Sequence, residues 1–242
     1  MEGSHFKKGE RQWTVERIPC KTAKAYIIKN HYSHGCHNAP SPCYGLYEWG
    51  DEIKLIGVLM FATPCSEAVR ESVFGGERKD SVIELHRLHI LDVTPTNTES
   101  WFIGKCLKLL KRDLPRVKAV ISFADSTEGH EGTIYQATNF HYIGKTGECV
   151  FYMDQSGRLR HPRQNGVRIT PEMAAERGWK PVKRLAKNRY LTFVASSKRE
   201  RKELIAMCKY DILHKKWCRG CGKEMDISHP GNLCEECSKF QV

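Results

Sequence analysis

The sequence predicts an α/β (α+β) protein: a central sheet flanked by helices, with a small cysteine-rich appendage at the C-terminus. Three observations carry this. Residues 81–144 read in order as strand, loop, helix, strand and helix, the unit from which helix-covered sheets are built. Cys218-Arg-Gly-Cys221 and Cys234-Glu-Glu-Cys237 are two CxxC knuckles separated by twelve residues. Between core and knuckles, residues 180–223 carry 14 Lys/Arg against three Asp/Glu, a net of +11 that equals the charge of the whole chain.

From the N-terminus, residues 14–31 read as a strand or loop and then a helix, with Ala23, Ile27 and Ile28 at helical spacing and Thr22 as its cap. "SHGCHNAPSPC" (33–43) is a loop. Segments 44–49 and 53–62 are two strands joined by "GDE", and "CSEAVRESVFGG" is a short helix stopped by glycines. "SVIELHRLHILD" alternates, with Ile83, Leu85, Leu88 and Ile90 on one face and an irregularity expected near Arg87. "SWFIGKCLKLLKRDL" (100–114) is an amphipathic helix capped by Ser100 or Thr98. "VKAVISFAD" is a buried strand, "EGTIYQATNF" a short helix, and "HYIGKT…ECVFYMD" a hairpin. Beyond Asp154 the pattern weakens. The domain boundaries expected are 1–180 for the catalytic core, 181–214 for a basic linker or helical segment, and 215–242 for the cysteine module.

Composition bounds the function. A hydrophobic content of 40% with five Trp supports a real core. No uncharged apolar run approaches the roughly 18 residues of a membrane span, and "MEGSHFKKGERQW" has no signal-peptide core, so a cytoplasmic protein is expected. Eleven Cys, with Cys65, Cys106 and Cys149 in apolar or element-like settings, fit a reducing compartment. The basic segment beside the knuckles points to a polyanion.

Four constellations bear chemistry. Cys218, Cys221, Cys234 and Cys237 supply four thiolates at the spacing of a zinc ribbon, and four ligands leave no open position, so Zn2+ there is structural. Zinc contributes about 10–16 kcal/mol to such a module, enough to fold a segment with no core. The loop "TPTNTESWFIG" opens a helix whose free N–H groups and dipole favour an anion, which makes Asn97, Ser100 and Gly104 donor-binding candidates. Glu84, His86, Arg87 and His89 share a strand with an apolar face; a buried Glu or Arg there needs a partner or water. In "KNHYSHGCHNAPSPC", His31, His34 and His37 do not have clean metal-ligand spacing, and His31 and Tyr32 are the better candidates for substrate contact.

Taken together, "NHYSH", "GVLMF", "IELHRLHILD", "NTESWFIG" and "ISFADSTEGHEGTIYQATNFHYIG" resemble the Mom DNA-modification family of bacteriophages. That resemblance implies a divergent GNAT acyltransferase fold with a central mixed sheet. It implies modification of adenine in double-stranded DNA to N6-carbamoylmethyladenine, which protects the phage genome from restriction. It further implies roles for Arg87, Asp125 and Tyr135. Asp125 would accept the N6 proton or hold N6; Tyr135 would protonate a leaving group or position the donor. Tyr32, Trp49 or Trp101 would stack on the flipped base. Glu84 joins the expected catalytic residues, and Asn139 joins Asn97, Ser100 and Gly104 as an expected donor-binding residue. In place of Q/R-x-x-G-x-G/A this chain has "NTESWFIG" with only Gly104, so the donor is either acetyl-CoA or a related species, or an aminoacyl species such as a charged tRNA. Two alternatives stay open: an acyl- or aminoacyltransferase acting on protein, tRNA or a small molecule, and a non-enzymatic zinc-ribbon nucleic-acid-binding protein.

Overall fold

The computed structural model describes residues 12–164, 167–210, 212, 216–217, 224–225 and 235–239. In chain order the first elements are β1 (Gln12–Ile18), α1 (Cys20–Asn30), β2 (Cys43–Trp49), β3 (Lys54–Ala62), α2 (Glu67–Phe74) and β4 (Val82–Ile90). There follow α3 (Thr98–Asp113), β5 (Ala119–Ala124), α4 (Thr133–Ala137), β6 (His141–Lys145) and β7 (Cys149–Met153). Next come β8 (Leu159–Arg160), β9 (Arg163–Gln164), β10 (Val167–Arg168), α5 (Pro171–Glu176), β11 (Lys180–Arg184), β12 (Asn188–Phe193) and α6 (Lys198–Met207).

Seven strands form one mixed sheet in the order β1-β2-β3-β4-β5-β12-β6. Only β4 and β5 are parallel neighbours, joined through α3; the other pairs are antiparallel. The middle strands are apolar on both faces because both are covered. In β3, Leu59 and Phe61 pack with Phe102, Ile103, Cys106 and Leu110 of α3 and Tyr135 of α4. The alternate residues Val58 and Met60 pack with Ala23 and Ile27 of α1. Farther along, Ala119, Ile121 and Leu191 bury Val73 of α2 and Leu204 of α6. Each fully buried aliphatic side chain here stabilises the fold by about 1.5–3 kcal/mol.

Several expectations from sequence need correction. Segments 141–146 and 148–154 do not form a hairpin: β6 pairs with β12, whereas β7 lies in a separate sheet of order β11-β7-β8. Within the segment expected as a basic linker or helical segment, β12 fits between β5 and β6 and α6 covers it, so this stretch is built into the main sheet. Thr22 lies inside α1, which begins after Pro19, and neither Thr98 nor Ser100 caps α3, whose N-cap is Asn97. Cys65 is exposed, while Cys106 is buried and Cys149 partly so.

At the C-terminus β13 (Lys216–Trp217) pairs with β14 (Glu224–Met225), and α7 spans Glu235–Ser238. The zinc-ribbon expectation lies outside the described residues for Cys218, Cys221 and Cys234; Cys237 falls within α7, but its side chain is not described. Among the described residues no helix is long and apolar enough to cross a membrane.

Candidate active site

The site is built where two parallel strands part. Pairing of β4 with β5 ends at Leu85↔Ser122, although β4 continues to Ile90 and β5 to Ala124. Just there β4 carries the irregularity anticipated near Arg87. Arg87 faces Met60 and Leu85 faces Phe61, so His86 is the extra residue of a bulge. The bulge re-aims the strand so that Arg87 shares the face of Met60, the face covered by α1.

Both bulge residues hold the loop that follows α1. Arg87 Nε donates to the carbonyl of Gly35 at 2.9 Å, and a terminal nitrogen donates to the carbonyl of His86 at 2.7 Å. The His37 backbone N–H donates to His86 Nε2 at 3.0 Å, which leaves the proton on Nδ1, 3.0 Å from a Glu84 carboxylate oxygen. Glu84, a candidate from sequence, thus acts on the loop through His86.

His31 closes α1 and is buried, 7% exposed. Its Nδ1 accepts the Ser33 backbone N–H at 3.1 Å, so the neutral ring carries its proton on Nε2. Burial, reinforced by the Arg87 cation and neighbouring imidazoles, pulls its pKa down to about 3. Its ring centroid lies 4.3 Å from that of Tyr32, which is 49% exposed and sits 5.4 Å from His130. Burial raises the Tyr32 pKa, and the Asp125 carboxylate adds to the effect.

Asp125 ends β5 and is 5% exposed. One carboxylate oxygen accepts the Thr127 backbone N–H at 3.1 Å. The other is shared by Arg184 at 2.8 Å and Lys187 at 3.0 Å. Burial alone would raise its pKa; the bonds and charges of Lys187 and Arg184 outweigh burial and hold the carboxyl below its ordinary value. Arg184 also reaches Glu128 at 2.9 Å. In this arrangement Asp125 is an ionised carboxylate with both oxygens engaged, held between Arg184, Lys187 and the Thr127 N–H.

Tyr135 is a core residue whose ring packs against Phe140 and Tyr190, each at 5.4 Å. Burial pushes its pKa up to about 12, a shift opposed by a hydrogen bond to Ser122. Ser122 in turn donates to the Leu85 carbonyl, at the last rung before the strands part. Tyr135 therefore reaches the floor of the opening from the α3/α4 face, and Arg87 and His31 from the other.

The α3 candidates sit at the helix start. Asn97 is left-handed at φ 70°, Ser100 Oγ donates to its carbonyl at 3.0 Å, and a Cβ at Gly104 would meet nothing. Three expected residues do not join the site. Asn139 is a left-handed turn residue whose carbonyl accepts from Thr192, and Thr192 pairs with Val120 toward the end of β5 remote from Asp125. Trp49 ends β2 and donates to Thr14, two strands from β4. Trp101 packs on Trp13 of β1 at 6.0 Å. Sequence reasoning missed Arg184, Lys187 and Ser122 as site members. The signal for the two cations was Asp125 itself, since a buried carboxylate demands a counter-charge. Among the described residues no group of His, Cys, Asp and Glu is arranged to hold a metal, the His31–His37 loop included.

An α/β protein with a charged opening between parted parallel strands is the class that fold and site define. The model of the Mom protein family matches residues 12–211. Methylcarbamoylase mom of Escherichia phage Mu is 30% identical over 212 residues, covering 84% of this chain and 83% of that protein. The chain belongs to the Mom protein family. Among solved structures, Arabidopsis thaliana NAA60 in complex with acetyl-CoA is similar at a TM-score of 0.47 and 8% identity, covering 75% of this chain and 98% of that one. A putative acetyltransferase from Acinetobacter baylyi is similar at a TM-score of 0.45 and 10% identity, covering 76% and 94%.

Proposed function

We propose that this protein is a transferase that places a carbamoylmethyl-type group on the exocyclic N6 of adenine in double-stranded DNA, protecting phage DNA from restriction. Membership of the Mom family, through a relative named a methylcarbamoylase that aligns over 84% of the chain, carries this reading. It takes the core as GNAT-like and the enzyme as working in the host cytoplasm.

Adenine N6 is a weak nucleophile because its lone pair is delocalised into the ring. The site must orient it, take up its proton and stabilise charge developing on the donor. The base must first leave the duplex stack, at a cost of a few kcal/mol. Tyr32, exposed at the mouth, stacks on it. His31 presents an Nε2–H, and Arg87 has guanidinium N–H groups beyond the two bonds described above; these donors face charge on a donor carbonyl. Asp125 holds Arg184 and Lys187 in place and lies beside Tyr32, where it holds N6 by a hydrogen bond or accepts its proton as the new bond forms. Tyr135 braces the floor through Ser122. Plain acyl transfer from an acyl-CoA-type donor would join N6 through the activated carbonyl and leave an amide. A carbamoylmethyl group is joined through its CH2, so the transferred group must bond to N6 at the carbon beside its carbonyl. The α3 start with Asn97, Ser100 and the open approach at Gly104 fits the anionic end of a CoA-type donor. The basic surface suits a charged tRNA as the alternative donor.

The test is direct. Express the chain, digest cellular DNA to nucleosides and measure masses; a mass-shifted deoxyadenosine is expected, and unshifted deoxyadenosine alone would overturn the reading. For the C-terminus we infer a structural zinc on Cys218, Cys221, Cys234 and Cys237 from their spacing. Elemental analysis should give one zinc per chain, lost in Cys218→Ser; a zinc-free wild type removes the assignment.

A further inference from the structure

Between β6 and β12 the chain leaves the main sheet and builds a small unit of its own. β7, β8 and β11 form a three-stranded sheet, β9 and β10 pair beside it, and α5 packs on it. Tyr152, Ile169 and Ala174, with Met173 and Trp179, give it a separate core. Its surface is basic: residues 149–187 carry nine Lys/Arg and three Asp/Glu, a net of +6.

The distribution of those charges matters more than their number. Arg160, Lys183, Arg184 and Lys187 have carboxylate partners. Arg158, Arg163, Arg168 and Lys180 are exposed and make no ion pair among the described residues, and the ninth cation, Arg177, lies over the Trp179 ring. Two of these four, Arg163 and Arg168, are directly paired across β9–β10, with Val167 55% exposed beside them. Like charges opposite one another on a strand pair are destabilising in water. On α6, the other basic element, Arg199 is matched by Glu203 and Glu200 takes Lys118, while Lys198 and Lys202 are exposed with no ion pair among the described residues.

The unit is fastened to the rim of the opening. Arg184 bridges Asp125 and Glu128, the Leu185 N–H donates to Thr127 Oγ1 at 2.9 Å, and the Lys187 N–H donates to Thr146 Oγ1 at 2.9 Å. The unit that carries the free arginines is thus anchored at its C-terminal end beside Asp125.

We propose that the 149–187 unit is the duplex-DNA-binding surface of this protein, with Arg163 and Arg168 on backbone phosphates. This rests on the reading of DNA as the substrate. Each neutralised phosphate contributes about −0.9 to the slope of log affinity against log salt. Loss of both arginines should therefore make the slope shallower by about 2, and shrink the affinity ratio between 50 and 200 mM salt by about tenfold.

The test measures anisotropy of a labelled duplex with wild type, Arg163→Ala/Arg168→Ala, Arg158→Ala/Lys180→Ala, and Arg199→Ala/Lys202→Ala on α6. Weaker binding and shallower slopes are expected for the first two pairs, with wild-type behaviour for the α6 pair. All four residues of the first two pairs are exposed, so melting temperatures should not fall. Unchanged affinity and slope in both first pairs would overturn the proposal, as would a loss confined to tRNA with duplex affinity intact. A wild type that modifies deoxyadenosine while both pairs bind normally sinks this inference alone. A wild type that binds duplex through these residues but yields no modified nucleoside sinks the functional reading alone.

Discussion

Replacing Asp125 by Asn removes one negative charge while keeping side-chain shape and an acceptor for the Thr127 N–H. In the native protein that charge faces Arg184, whose side chain is 13% exposed, and Lys187, which is 37% exposed. The Arg184 bond lies in a desolvated setting, and hydrogen bonds to charged groups there contribute about 1.5–3 kcal/mol. The Lys187 bond is screened by solvent and adds less. A net loss of about 2 kcal/mol is expected, which for a chain of this size lowers Tm by about 4–8 °C. The sign of the pH dependence follows from the lowered pKa. The native carboxyl titrates below its unfolded value, so its stabilisation is complete above the ordinary carboxylate range and is lost as pH falls through the native value. Thermal melts of wild type and Asp125→Asn should therefore differ at neutral pH and converge in acid. If the variant melts within a degree of wild type at pH 7 while product formation falls a hundredfold or more, Asp125 is a proton acceptor and not an anchor.

Two further outcomes test the site's architecture. The His31 imidazole, held near a pKa of about 3, should stay neutral in NMR titrations from pH 8 to 5. Because the unfolded state takes up that proton near pH 6.5, the His31 contribution to stability is present above that value and falls as pH drops towards the native one. His31→Asn should shrink the difference in Tm between pH 7 and 5, and titration near 6.5 in the wild type would contradict the geometry. Gly132 has φ +86°, and a Cβ there would stand 2.2 Å from the Tyr190 ring. Gly132→Ala should cost about 2–6 kcal/mol from backbone strain and overpacking, read as a lower urea midpoint. An unchanged midpoint would show that the Tyr190 contact is misplaced.

Much of the sheet was legible because local pattern and burial agree. β3 and β5 are apolar runs covered on both faces, and the mixed pattern of β4 betrayed the bulge at His86. His31, Tyr32, Arg87 and Asp125 each lie at the end or the irregularity of an element, which is where the sequence pattern put them. Partner choice over distance was not legible. β6 and β7 look like a hairpin because only three residues separate them, yet β6 pairs with a strand more than forty residues onward. Arg184 and Lys187 were hidden for a related reason. A run of cations reads the same whether its partner is a phosphate or a buried aspartate, and only the fold shows that these two meet Asp125. Asn139, polar and beside a helix end, resembled a ligand residue but serves a left-handed turn.

The pairing of Lys145 with Asn188 brings the two ends of the 149–187 unit to neighbouring positions of one sheet. Its entry and exit points are fixed by the main sheet, whatever lies between them. Such a unit can be lengthened, recharged or exchanged between relatives with no strand of the sheet changing its neighbour. The Arg184–Asp125 bond sets the limit on that freedom: a replacement must still end in a cation that meets the carboxylate at the close of β5. Variation in how tightly the duplex is held and constancy in how the mark is made would then reside in separate stretches of one chain.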